Sequence, residues 1–314
     1  MDWTDRYLQY VSAVRRYSPR TVEIYRGVLE RFCAYSGQPG EELPSMLTPA
    51  RVRNYEVWLL DELKESPRTV NLHLSVLSGC SRFLLKAGVL EANPVKLIHR
   101  PKTPKRLPQV FRGEDMDRYL ESTRADGEAE SLSLIVGKDK VSAELWTRRR
   151  DRLVVRMLYD TGLRRSELIG LDRSHVDTAR RTLRVRGKGG KMREIPLTDS
   201  LCEEILLYLE ATNRMLGESP VPLLVTAQGG RLYPMAVERI VKAQTGAAGV
   251  AGKRSPHVLR HTIATQLLDA GTDLNAIKEM LGHSSLAATQ VYTHTSVEKL
   301  KAAYAKAHPR AKNK

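Results

Sequence analysis

Two arginines brought together make a phosphate clamp, because each planar guanidinium can grip nonbridging oxygens through two parallel hydrogen bonds. The candidates are Arg164 in TGLRRSEL (161–168) and Arg260 in SPHVLRHTIATQLL (255–268). Lys188 in RGKGGKMREIPL (186–197), His257 just ahead of Arg260, His283 in MLGHSS (280–285) and Tyr292 in TQVYTHTS (289–296) supply the other groups such a clamp would use. A phosphodiester under attack gathers negative charge on its nonbridging oxygens, where cationic donors hold it. A tyrosine hydroxyl, with a reference pKa near ~10, is a poor nucleophile unless cations stabilise its phenolate or a base takes its proton. Clamp, base and nucleophile are all present, so the chemistry these residues would do is attack on a phosphodiester. No carboxylates cluster with the spacing of a two-metal nuclease. Charge neutralisation then falls to side chains, with no metal and no cofactor expected.

Each segment alone has a plainer reading. Arg164 can cap the C-terminus of the helix before it, where a cation is favourable, although Glu167 stands beside it in the segment. Lys191 and Arg193 compete with Lys188 as the cation of a hairpin. His257 and His261 fall at i, i+4 and can bind a metal on one helix face, but HVLRH lacks the glutamate of HExxH. His261 is expected to be a packed helix histidine. Tyr233 and Tyr304 compete with Tyr292, which lies nine residues after LGH on an expected helix.

Composition fits an anionic substrate. Lys and Arg total 51 against 36 Asp and Glu, a net charge of +15, and such an excess favours a polyanion through counterion release and electrostatic steering. Nucleic acid is the expected partner. No run approaches the ~18 apolar residues of a membrane span, and MDWTDRYLQY lacks a basic-then-apolar signal pattern, so a cytoplasmic protein is expected. Cys33, Cys80 and Cys202 have neither metal nor redox spacing and read as reduced, mostly buried small hydrophobes.

The elements that must position these residues divide near residue 100. SPRTV occurs at 18–22 and again at 66–70, each time with Ser at an N-cap and Pro at the first helical position. The second helix carries the stripe Val70, Leu74, Leu77 and Leu84, and Thr48-Pro49 begins another with Val52, Tyr55, Leu59 and Leu63. With residues 2–15 these make a bundle of four main helices spanning 1–98. HRPKTPKRLPQV (99–110) reads as an extended basic linker. In the second domain, 111–314, a helix is expected at 113–124, a loop with a short helical part at 125–146, and a helix at 147–162 that Gly162 stops. Alternation over 182–197 predicts a hairpin turned by Gly187, Gly189 and Gly190, with Lys188 at its tip. Further helices are expected at about 199–214, 234–246, 256–270, 273–282 and 285–293, with an amphipathic segment at 296–306. The fold class is therefore mainly α: an N-terminal helical bundle and a mixed α/β domain, mostly helical with a small antiparallel sheet.

The order and contexts of TGLRRSEL, GKGGK, HVLRH, LGHSS and the tyrosine segment resemble the tyrosine recombinases, and the likeness extends over nearly the whole chain. Within that family the length and the tail KLKAAYAKAHPR (299–310) most resemble the Xer recombinases that resolve chromosome dimers. The longer 125–146 region keeps a mobile-element integrase as an alternative. The resemblance implies a SAM-like core-binding domain in front and a catalytic domain behind, ending in an exchange tail at about 296–314 that docks on a neighbouring protomer. It implies that Arg164 and Arg260 hold the scissile phosphate and that His283 adds a hydrogen bond. Tyr292 forms a 3′-phosphotyrosyl bond, Lys188 protonates the leaving 5′-oxygen, and His257 manages the tyrosine proton or orients the phosphate. It further implies a double-stranded recombination site, strand exchange through a four-way Holliday junction, and a tetramer on DNA, of this chain alone or with a related recombinase. A cell-division DNA translocase is a candidate accessory partner, no membrane is involved, and the setting is the cytoplasm at the nucleoid. A type IB-like topoisomerase shares much of this chemistry, and a DNA-binding protein that has lost catalysis is the third class.

Overall fold

The computed structural model describes residues 2–103, 110–125, 143–187, 190–247, 249–250 and 252–282. The chain divides into two compact units, Met1–Arg106 and Leu107–Lys314. The division falls within the proline- and cation-rich stretch 99–110.

In the first unit, α1 (Trp3–Gln9) runs on through a π-helical turn at Tyr10–Val14, followed by α2 (Pro19–Ser36), the short α3 (Leu43–Met46), α4 (Pro49–Asp61) and α5 (Pro67–Lys86). The repeated pentapeptide is explained by capping. Ser18 accepts from the Thr21 amide at 3.2 Å and Ser66 from that of Thr69 at 3.2 Å, while Thr48 serves α4 through the Arg51 amide at 3.3 Å. Each satisfies one of the orphan donors of a helix start, and the proline that follows has no amide to satisfy. Leu29, Phe32, Tyr55, Leu59, Leu74 and Leu77 are fully buried between these helices. One expectation fails: α4 stops at Asp61, so Leu63 leaves its apolar stripe and is 44% exposed. The chain turns there because Lys64 adopts φ +51° and the Glu65 amide reaches back to the Leu59 carbonyl at 2.9 Å.

His73 is buried in this core with Nδ1 2.8 Å from the Tyr55 hydroxyl, which can donate to the neutral ring. Burial, and then the charge of Arg31, hold its pKa down at about 4, with Glu65 opposing. Above pH ~6.5 the ring is neutral folded or unfolded; as pH falls toward about 4 the unfolded chain binds a proton that the folded one refuses. Stability of this unit is therefore expected to decline through that window by up to about 3 kcal/mol. Amide exchange of α4 and α5 at pH 7 and 4.5 measures it, and His73→Asn, which keeps an acceptor for Tyr55, should flatten the difference.

The stretch from residue 99 begins without helix or strand and is fastened to α5. Arg100 Nη1 donates to Ser75 Oγ at 2.9 Å, and Asn71 Nδ2 donates to the Pro101 carbonyl at 2.9 Å.

The second unit contains α6 (Gly113–Ala125), α7 (Ala143–Thr161), α8 (Arg165–Ile169), β1 (Val176–Asp177), β2 (Thr182–Arg186), β3 (Met192–Pro196), α9 (Asp199–Leu216), α10 (Pro234–Ala247), α11 (Pro256–Asp269) and α12 (Leu274–Leu281). Helix α7 is the central element, packed against α9, α10 and α11, with Leu153 through Val155 and Met157 through Tyr159 fully buried. It begins at Ala143, ahead of the expected 147. The added turn holds Trp146, which is fully buried, donates its indole N–H to Thr212 Oγ1 at 2.9 Å and lies under Arg150. The sheet is antiparallel in the order β1-β2-β3, and its hairpin pairs Leu183 with Ile195 and Val185 with Arg193. Strand β1 is an addition to the expected elements, since two residues are too few to show alternation.

At the hairpin turn Gly187 donates to the Lys191 carbonyl at 2.7 Å, and Gly190 takes φ +77°. Cys80 and Cys202 are buried and Cys33 half-buried, all as free thiols. Among the described residues no helix is long and apolar enough to cross a membrane. Lys188, His283, Tyr292, Tyr304, residues 126–142, the expected helix 285–293 and the tail 296–314 lie outside the described residues.

Candidate active site

The turn after α7 sets the first arginine. Gly162, at φ +62°, ends the helix where a Cβ would come 2.5 Å from Leu281 Cδ2, so both the backbone conformation and the packing call for glycine. Arg164 then stands at the N-cap of α8, and Glu167 folds back on it, accepting from its amide at 2.9 Å and from Nη1 at 2.7 Å. The Arg164 guanidinium, about one-third exposed, also donates to the Gly282 carbonyl at 2.8 Å.

Arg260 comes to the same place from α11. It is 7% exposed, donating from Nη1 to the Gly162 carbonyl at 2.6 Å and from Nη2 to the Leu281 carbonyl at 2.6 Å. Arg164 Nη1 reaches that Leu281 oxygen too, at 3.4 Å, so the two arginines of the expected clamp converge on one carbonyl. A third arginine completes the arrangement. Arg193 of β3 donates from Nε to the Met280 carbonyl at 2.8 Å, and from Nη1 and Nη2 to the two Glu167 carboxylate oxygens at 3.1 and 2.8 Å.

Three arginines thus hold three successive carbonyls at the end of α12. A helix C-terminus leaves such carbonyls without intrahelical partners and carries partial negative charge, which is why cations gather there. Gly282 closes the helix at φ +67°, and a Cβ on it would sit 3.1–3.3 Å from the Arg193 guanidinium. The glycine of LGH is required twice over, by its backbone and by this contact.

Among the described residues, three guanidinium groups against one carboxylate leave a surplus of two positive charges. Burial works to raise the Glu167 carboxyl, but hydrogen bonds from Arg193 and Arg164 outweigh it and hold the group below the usual carboxylate range. Arg260 is lowered to about 10, first by burial and then by Arg164, with Arg193 adding and Glu167 opposing. It is still cationic at neutral pH, and its charge is held among like charges in a partly dry place. An anion arriving there relieves that repulsion.

The structure sorts the sequence candidates. Arg164 and Arg260 meet; His257 lies on the exposed face of α11, three residues before Arg260. His261 is a correction: it is exposed, not packed, because Val258, Leu259, Thr262 and Ile263 take the inward face. Arg193, the rival of Lys188 as hairpin cation, is also corrected, since it is buried and committed to Glu167 and Met280, whereas Lys191 is exposed. The capping alternative for Arg164 is corrected: its guanidinium donates to the last carbonyls of α12, not to those of the helix before it. Tyr233 begins the turn into α10 with its hydroxyl accepting from Arg239 at 2.6 Å. The motifs do not reveal Arg193 as an anchor, although the alternation of the hairpin carries the signal: it shares the inward face of β3 with Ile195, opposite Val185.

Comparison with known proteins gives the family. Residues 140–299 match the model of the phage integrase family, and residues 4–88 match the N-terminal SAM-like domain of phage integrases. The tyrosine recombinase XerC of Chlorobaculum parvum is 36% identical over 98% of this chain and 95% of its own length. That of Corynebacterium efficiens is 36% identical over 97% of this chain and 90% of its own. The solved integrase of transposon Tn1549, in complex with transposon right end DNA, superposes with a TM-score of 0.65 at 17% identity, covering 95% of this chain and 98% of that one, a likeness of fold. This chain belongs to the phage integrase family and is a tyrosine recombinase, an enzyme that cleaves and rejoins DNA.

Proposed function

We propose that this chain carries out Xer-type site-specific recombination on double-stranded DNA, with the arginine cluster at the end of α12 as its phosphate site. The observation that carries the proposal is the convergence of Arg164 and Arg260 on the Leu281 carbonyl with two positive charges in surplus. XerC relatives aligned over nearly the full chain and the net charge of +15 support DNA as the substrate.

In this scheme the two guanidinium groups hold the nonbridging oxygens of the scissile phosphate, and His283 adds a donor. The Tyr292 oxygen attacks phosphorus, its proton passing to His257 or to solvent. The bond from phosphorus to the 5′-oxygen breaks, and Lys188 protonates that oxygen as it leaves. The products are a 3′-phosphotyrosyl linkage and a 5′-hydroxyl. The linkage keeps the energy of the original diester, so a 5′-hydroxyl from a second duplex can displace the tyrosine without ATP. Two such exchanges in a tetramer, passing through a Holliday junction, recombine the duplexes. Chromosome dimer resolution, in the cytoplasm and with a cell-division translocase as accessory, is the setting this scheme fits.

The test is a supercoiled plasmid with two directly repeated candidate sites flanking a marker, incubated with the purified chain, with and without a related recombinase. Excision of the marker is expected. Relaxation of supercoils without excision would replace this reading by that of a type IB-like topoisomerase.

A further inference from the structure

We propose that Arg193 is a positioning residue for cleavage: it holds the arginine clamp and the end of α12 in a single register. This rests on the recombinase reading above. Arg193 is 6% exposed and lies on the inward face of β3, opposite Val185, where an unpaired guanidinium would be strongly destabilising. It is stable there because its planar fork matches two partners at once. Nη1 and Nη2 span both oxygens of Glu167, while Nε points to the Met280 carbonyl.

Three elements meet at this one group: β3, which carries Arg193; α8, which carries Glu167; and α12, whose last turn Arg193 grips. Glu167 in turn fixes the amide and the guanidinium of Arg164. Arg193 therefore determines where one clamp arginine sits without facing the substrate itself. It is also five residues past Lys188 along the same hairpin, and the carbonyl it grips is three residues before His283 in sequence. A lysine in its place keeps the charge but presents a compact point donor that cannot span a carboxylate and reach a carbonyl in the third direction. A residue that only stabilised the fold would alter melting temperature alone. A residue acting through the clamp alters the chemical step, and does so in proportion to how much charge the clamp must neutralise.

The experiment compares wild type with Arg193→Lys in single-turnover covalent capture on a nicked duplex carrying a candidate site. The scissile group is either the natural phosphodiester or a methylphosphonate, in which a methyl replaces one nonbridging oxygen and removes the negative charge. Arg193→Lys is expected to bind the duplex within about 2-fold of wild type and to form adduct about 100-fold more slowly on the phosphodiester, the size of effect seen when a charge-stabilising contact is lost. On the methylphosphonate the deficit should shrink to within about 10-fold, since less charge needs to be held. Glu167→Gln, which weakens the same pair from the other side, should show the same dependence on substrate charge, and decides the matter if Arg193→Lys does not fold. Wild type active with both variants unimpaired, or impaired equally on the two substrates, would overturn the role of Arg193 alone. Wild type inactive on both substrates would overturn the recombinase reading and this role with it.

Discussion

Arg260→Ala is expected to reduce DNA cleavage by about 1,000-fold, the upper end of what loss of one preorganised oxyanion donor costs, because a whole guanidinium and its charge are removed. The same substitution strips a buried donor from the Gly162 carbonyl and leaves the Leu281 carbonyl with Arg164 alone, at 3.4 Å. Under-satisfied buried acceptors of this kind should lower stability by about 2–4 kcal/mol. The two effects separate experimentally. Single-turnover cleavage reports the first, thermal unfolding the second, and the salt dependence of duplex binding reports a lost phosphate contact as a slope shallower by about 1. Arg260→Lys should recover part of the binding slope but little of the rate, since a lysine cannot reproduce the planar fork. Cleavage by Arg260→Ala within about 10-fold of wild type would remove Arg260 from the clamp.

Much of this molecule is legible in its amino-acid sequence. The helix starts at Ser18, Thr48 and Ser66 are readable because capping is a local matter, settled by a side chain and an amide three residues on. The stripe Val70, Leu74, Leu77 and Leu84 is readable because burial on one helix face imposes its period. Periodicity misplaces Leu63 because the stop of α4 depends on Lys64 adopting a positive φ, for which the sequence offers no glycine. It also starts α7 too late, because the first helical turn is held by Trp146 through Thr212, a partner 66 residues away.

The site divides in the same way. Arg164 and Arg260 stand out through their segments, but their partners do not, since the Leu281 and Gly282 carbonyls are backbone atoms that every residue possesses. Arg193 looks like a hairpin cation because its charge draws attention away from its inward position on β3. His261 reads as packed because it lies within a helix rich in apolar residues, yet the helix turns it outward. Local rules are reliable wherever the interaction is local. They fail where a side chain answers to a group brought close only by the fold.

Tyr292 carries the central claim, and its replacement should have the largest effect of all. Tyr292→Phe removes one oxygen, the atom proposed to form the bond to phosphorus, while keeping the aromatic ring. A group that only positions substrate leaves a reduced rate when it is lost; a nucleophile leaves no covalent product. DNA binding by Tyr292→Phe should match wild type, because the arginine cluster is intact. The decisive measurement is covalent trapping on a nicked duplex carrying a candidate site, with wild type and Tyr292→Phe run side by side on a denaturing gel. A protein–DNA adduct in wild type that disappears in Tyr292→Phe is the expected result. An adduct that persists in Tyr292→Phe would contradict the account, placing the nucleophile on another side chain.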